Sequence, residues 1–166
     1  MKFIHLCAIN GNIHLLNYLI KKGIDVDLQN EDGSTALMFS SLNSNDTSSI
    51  ETVKLLLYYG ADLNLQNNCG ETALILASIH SNNTSSIEIV KLLLDNGADI
   101  NIQNNNGYTT LMFASTHSNS ISSIETVKLL FEKGADINIQ GYDGKTAYDL
   151  ARTKECKNLI KTYMKN

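Results

Sequence analysis

ETVKLLLYYGADLNLQNNCGETALILAS, from Glu51 to Ser78, runs through an apolar helical pattern, a glycine stop, an alternating stretch and a second apolar segment. It returns as EIVKLLLDNGADINIQNNNGYTTLMFAS from Glu88 to Ser115 and as ETVKLLFEKGADINIQGYDGKTAYDLAR from Glu125 to Arg152, so each copy starts 37 residues after the last. Two glycine series keep that interval: Gly33, Gly70, Gly107 and Gly144, and Gly23, Gly60, Gly97 and Gly134. Residues 31–67 laid over 68–104 agree at 23 of 37 positions, more than shared composition produces. The chain therefore divides into units 31–67, 68–104 and 105–141, a partial unit 1–30 before them and another, 142–166, after them. A unit of this size cannot bury its own apolar face, so its stability has to come from stacking on its neighbours.

Each unit reads in three parts. The first is TALMFSSL, TALILASI, TTLMFAST or TAYDLART, a short apolar helix opened by Thr35, Thr72, Thr109 or Thr146. A threonine hydroxyl at that place accepts a backbone N–H that the first turn leaves unpaired. The second is IETVKLLLYYG and its copies, a helix with Val53, Leu56 and Leu57 on one face, ended by a glycine suited to the left-handed position. The third is GADLNLQNNCG, GADINIQNNNG or GADINIQGYDG, whose alternation before an Asn/Gly turn predicts a short extended finger or hairpin. Ser48, Ser85 and Ser122 stand three residues before Glu51, Glu88 and Glu125, the spacing of a capping box, and predict where the second helix begins.

Bulk properties narrow the function. The 166 residues, 43% of them hydrophobic, are enough for one domain with a core. Net charge is −4, divided as +3 after residue 141 and −7 before it, and no basic cluster suggests nucleic-acid binding. Cys7, Cys69 and Cys156 form no CxxC, and with no secretory signal they fit a reducing, intracellular and cytoplasmic setting. MKFIHLCAI is interrupted by His5 and reads as a helix, and no apolar run reaches membrane-spanning length. His80 and His117 share a register without a third ligand, so no metal or other cofactor is expected. Asn45, Asn82 and Asn83 sit in glycosylation sequons that an Asn/Ser/Thr-rich loop produces by accident.

With Gly70, Thr72, Leu74, Ala77, Val90, Leu92, Leu93, Gly97, Ala98, Asp99 and Asn101 in place, the units resemble ankyrin repeats over essentially the whole chain. The resemblance implies an all-α solenoid of stacked helix-turn-helix units, forming one domain over 1–166, with short β-hairpin fingers at right angles to the helices. The chain departs from the family in four ways. Ala36, Ala73, Thr110 and Ala147 replace its proline; Met38, Ile75 and Met112 replace the histidine that His5 keeps; the interval is 37 rather than 33; and the extra residues fall in LNSNDTSS, IHSNNTSS and THSNSISS.

Carried over by register, the family's binding surface falls on finger tips and inner-helix edges. The tips are Glu31, Asp32 and Ser34; Asn68, Cys69 and Glu71; Asn105, Asn106 and Tyr108; and Tyr142, Asp143 and Lys145. The groove positions are Leu42 and Asn43, Ile79 and His80, and Thr116 and His117. Tyr108 and Tyr142 are the expected anchors, because an aromatic on an exposed tip has large contact area and little structural duty. Asn64, Asn101 and Asn138 correspond to asparagines that pin the fingers in the family and are substrates for hydroxylation there. The resemblance implies a non-enzymatic, monomeric protein-binding module; the alternative is a target-recruiting adaptor fragment of a larger protein, of ubiquitin-ligase type. The Asn-rich style resembles arrays of giant DNA viruses or intracellular parasites, which implies a host protein as partner and the host cytoplasm as the place of action.

Overall fold

The computed structural model describes residues 1–42, 47–79, 84–117 and 121–164, with the side chains of residues 47, 48, 84, 85 and 121–123 outside the description. Among the described residues five inner helices alternate with five outer ones. The inner layer is α1 (Phe3–Ile9), α3 (Ala36–Leu42), α5 (Ala73–Ile79), α7 (Thr110–Thr116) and α9 (Ala147–Leu150). The outer layer is α2 (Ile13–Lys21), α4 (Thr47–Tyr58), α6 (Thr84–Asp95), α8 (Ile121–Glu132) and α10 (Lys154–Tyr163). Within a layer each helix packs on the next, and each inner helix packs on the outer helix that follows it. Successive 37-residue blocks thus share one continuous core: Leu37, Leu74 and Leu111 on the inner layer, and Leu56, Leu93 and Leu130 on the outer, are all buried.

The threonine caps form as the sequence predicts at three places. Thr35 Oγ1 accepts from the Met38 N–H at 3.3 Å and Thr72 Oγ1 from the Ile75 N–H at 3.3 Å. Thr146 accepts from the Asp149 N–H, and the Asp149 carboxylate in turn accepts from the Thr146 N–H, closing a capping box. Thr109 occupies the same position without a side-chain cap bond. The serine boxes differ from expectation. Helices α4, α6 and α8 begin at Thr47, Thr84 and Ile121, which places Ser48, Ser85 and Ser122 inside the first turn rather than before it. The cap position therefore lies upstream, outside the described residues, and Glu51 pairs forward with Lys54 at 2.8 Å.

His5 is buried and fully used: Nδ1 accepts from the Lys2 N–H at 3.2 Å while Nε2 donates to the Leu28 carbonyl at 2.7 Å. It ties the first inner helix to the loop after α2. In the middle units Met38, Ile75 and Met112 are buried in its place, the substitution of apolar packing for a polar link that the sequence suggests.

The fingers contain no β-strand among the described residues. Each closes as a hairpin-type turn: Asn67 N–H to the Glu71 carbonyl at 3.0 Å and Gly70 N–H to the Asn67 carbonyl at 2.8 Å, with the same pair at Asn30/Gly33, Asn104/Gly107 and Gly141/Gly144. One such pair is too short for a ladder. The alternating residues before it bond through side chains instead, as the candidate site shows.

Candidate functional site

Three sets of hydrogen bonds, repeated at the unit interval, fix the fingers. Gln66 Nε2 donates to the Gly70 carbonyl of its own finger at 2.6 Å and to the Gln103 carbonyl of the next at 3.0 Å; Gln29 and Gln103 do the same one unit back and one forward. Asn67 Oδ1 accepts from the Cys69 and Glu71 N–H groups, both at 2.9 Å, and Asn30 and Asn104 make the same turn. Between tips, the Asn68 N–H donates to the Asp32 carbonyl, Asn105 to Cys69 and Tyr142 to Asn106, at 2.9, 3.1 and 3.0 Å. The Asn68 and Asn105 side chains add to these links, each Nδ2 donating to the preceding tip, to the Glu31 carbonyl at 3.0 Å and the Asn68 carbonyl at 2.8 Å.

Asn64 and Asn101 hold the base of the fingers. Asn64 Oδ1 accepts from the Asp99 N–H and Asn101 Oδ1 from the Asp136 N–H, both at 2.9 Å. Asp27 fills the corresponding place in the first unit, accepting from Asp62 at 2.9 Å, and burial is the main cause that pushes its carboxyl up. Asn138 is exposed, and its N–H donates to Asp136 Oδ1 at 2.8 Å.

Of the tip residues read from sequence, Glu31, Asp32, Asn68, Cys69, Asn105, Asn106, Tyr142, Asp143 and Lys145 are exposed, and Ser34, Glu71 and Tyr108 half-buried. Leu42, Ile79, Thr116 and His117 are half-buried along the inner layer. Thr116 Oγ1 and His117 Nδ1 are engaged with the carbonyls of Met112 and Phe113 at 2.9 Å. Asn43, His80 and the sequon asparagines Asn45, Asn82 and Asn83 lie outside the described residues. Among the described residues no group of His, Cys, Asp and Glu side chains is arranged to hold a metal ion, and no helix is long and apolar enough to cross a membrane.

The two tyrosines separate. Tyr142 is 78% exposed. Its ring lies over Gly107, where a Cβ would come within 2.7 Å of Cδ1, so the ring has a fixed seat while its outer face is open. Tyr108 has the structural duty that its place on a tip did not suggest. Its hydroxyl donates to Asp143 Oδ2 at 2.8 Å, its ring meets Phe113 edge-on at 6.0 Å, and its Cδ1–Cε1 edge lies against Gly141. Asp143 also takes Lys145 Nζ at 2.9 Å. Lys145 first and Tyr108 second hold the Asp143 carboxyl down to about 2, and the carboxylate in turn raises the Tyr108 hydroxyl and the Lys145 ammonium. Last comes a correlation internal to the chain: Gly141 stands where the other fingers have Asn30, Asn67 and Asn104, and it is the position that Tyr108 covers.

Sequence reading missed Gln29, Gln66, Gln103 and Gly141. The glutamines were visible as a residue kept at the unit interval, and Gly141 as the one break in an asparagine series; neither signal has a meaning until adjacent units are placed side by side.

Comparison with known proteins agrees with this geometry. The family model described as ankyrin repeats, three copies, matches residues 4–84, 45–141 and 80–162. An ankyrin repeat protein of Acanthamoeba polyphaga mimivirus is 49% identical over 47 residues, a stretch amounting to 28% of this chain and 9% of that protein. The match thus spans under a tenth of the relative's length.

Proposed function

Since the chain belongs to the ankyrin-repeat family, whose members are generally protein–protein interaction modules and typically not enzymes, we propose that it is a non-enzymatic module that binds a protein partner along its finger tips and inner-helix edge. The observation that carries this reading is the division of labour in the finger row. Gln and Asn side chains, Asn68 and Asn105 among them, and backbone groups brace one finger against the next, and the exposed Glu31, Asp32, Asn106, Tyr142 and Asp143 are held along that row in fixed spacing. A surface ordered before binding loses little conformational entropy when a partner docks. Tyr142 is the anchor, with large contact area on a seated ring; Tyr108 is its brace. Leu42, Ile79, Thr116 and His117 flank the row.

The partner in this reading is a host protein and the place of action the host cytoplasm, which rests on the Asn-rich style of the repeats. Because the mimivirus relative extends far beyond the matched stretch, the second reading is that such an array recruits targets for an activity carried elsewhere in a longer protein. Asn64, Asn101 and Asn138 are the positions at which a host dioxygenase would act. The test is affinity purification from the native host with wild type, Tyr142→Ala and Lys128→Ala, the last on the outer layer. Loss of one specific partner with Tyr142→Ala alone is expected; equal recovery with all three would move the site off the fingers.

A further inference from the structure

The two layers present different chemistry. Helices α3, α5 and α7 carry no charged residue, whereas α4, α6 and α8 each carry both Glu and Lys. On the inner layer Phe39 and Leu42, Leu76 and Ile79, and Phe113 and Thr116 repeat the same two register positions, three residues apart and so on one face of each helix. All are half-buried except Leu76, which is 9% exposed. Each of these three helices packs on an inner helix to either side, so what lies open here is the inner face of the array and not a stacking face.

The finger row forms one rim of this apolar band. Tyr108 meets Phe113 edge-on at 6.0 Å, which brings a tip residue onto the band, and Glu71 stands in the register of Tyr108, beside Leu76. The rim is acidic. Lys145, the one lysine among the tip residues, is taken by Asp143 at 2.9 Å. The Asn30 and Asn67 amides donate to the Asp32 and Glu71 carboxylates at 3.3 and 3.0 Å, which positions those groups without neutralising them. Glu31 adds a third exposed carboxylate, and among the described residues none of the three has an ion-pair partner. An apolar floor with an uncompensated acidic rim is complementary to a segment with an apolar face and a cationic flank; an acidic segment would bring like charge against Glu31, Asp32 and Glu71. Spacing selects the segment's conformation. Packed helices stand about 8–10 Å apart. A docked helix returns the same face every seven residues, or about 10.5 Å, and so meets one apolar pair per unit; a strand does so about every 6.7 Å and falls out of step.

We propose that the groove between the fingers and α3, α5 and α7 takes a basic amphipathic helix of the protein partner, its apolar face on Phe39, Leu42, Ile79 and Phe113 and its Lys or Arg side chains on Glu31, Asp32 and Glu71. This names the partner's chemistry, and it rests on the reading of the finger tips and inner-helix edge as the binding surface.

The test titrates the full chain into a fluorescein-labelled synthetic helix of about three heptads, leucine on one face and lysine along its flanks, and reads anisotropy. Two further peptides are compared: one with glutamate for each lysine, and one of the same composition with the leucines spread around the helix. The leucine/lysine helix is expected to bind with a Kd of about 1–100 μM and both other peptides at least about tenfold more weakly. Ile79→Thr copies Thr116 and Glu71→Ser copies Ser34, so each places a residue that the array already carries at that position, and circular dichroism should not change. Each variant should weaken binding about three- to tenfold, and Glu71→Ser should also flatten its salt dependence. Equal binding of the three peptides, indifference to both variants, or no binding of the leucine/lysine helix up to about 1 mM would overturn the proposal. These results are separate from the purification: a native partner lost with Tyr142→Ala while the basic helix does not bind keeps the finger reading and removes this one, and the reverse pair of results removes the fingers and keeps the groove.

Discussion

Gly141→Asn restores the residue that three of the four fingers use, and the structure says that it should destabilise the protein. In the other fingers the asparagine Oδ1 accepts two turn N–H groups, but in the fourth the Lys145 N–H already donates to Asp143 Oδ1 at 3.1 Å, so an asparagine could add one bond, a gain of about 0.5–1.5 kcal/mol. At Gly141 the backbone is not in the left-handed region, so conformation is no obstacle. The obstacle is the Tyr108 ring, whose Cδ1 would sit 2.5 Å from the new Cβ. The ring cannot swing aside freely, because its hydroxyl is held by Asp143 and its edge meets Phe113. Overpacking of this kind costs about 1–3 kcal/mol. Tyr108→Ser removes the ring and installs the residue of the first finger, Ser34, so the pair forms a double-mutant cycle. Urea unfolding should show Gly141→Asn lowering stability by about 1 kcal/mol, the clash less the one new bond, or roughly 2–4 °C in Tm for a chain of this size. The same change in the Tyr108→Ser background should be neutral or stabilising, with a coupling of at least about 1 kcal/mol. If the asparagine cost the same in both backgrounds, Tyr108 would not be the reason for the glycine.

Further outcomes follow from the contacts of Asp143 and of His5. Asp143 should titrate near 2 by carbonyl NMR; its folded pKa is depressed, so its bridge is fully present above the ordinary carboxylate range near 4 and is lost as pH falls through about 2. Lys145→Met should raise that midpoint more than Tyr108→Phe, since the lysine is the larger cause. His5→Met, which copies the middle units, leaves the Leu28 carbonyl and the Lys2 N–H without their partner and should cost about 1–3 kcal/mol in urea unfolding.

The division between what could be read and what could not follows the range of the interactions. The glycine stops, three of the four threonine caps and the apolar faces of Val53 and Leu56 depend on residues within one or two turns of each other, so the linear order of the chain carries them. Repetition then implied stacking, because no single unit has a core of its own. The start of α4 at Thr47 is a local feature that went unread, since two serines and a threonine in TSSIE offer several helix starts and only the packed helix selects one. The roles of Tyr108, Gly141 and Gln66 were not in the linear order at all. Each is set by what the next unit brings within reach some 33 to 37 residues away. The sequence by itself determined a row of interdependent helix pairs. Only the tertiary structure decided which of two tip tyrosines is bound down and which is exposed, because in a stack each side chain's exposure belongs to the interface between units and not to the unit that contains it.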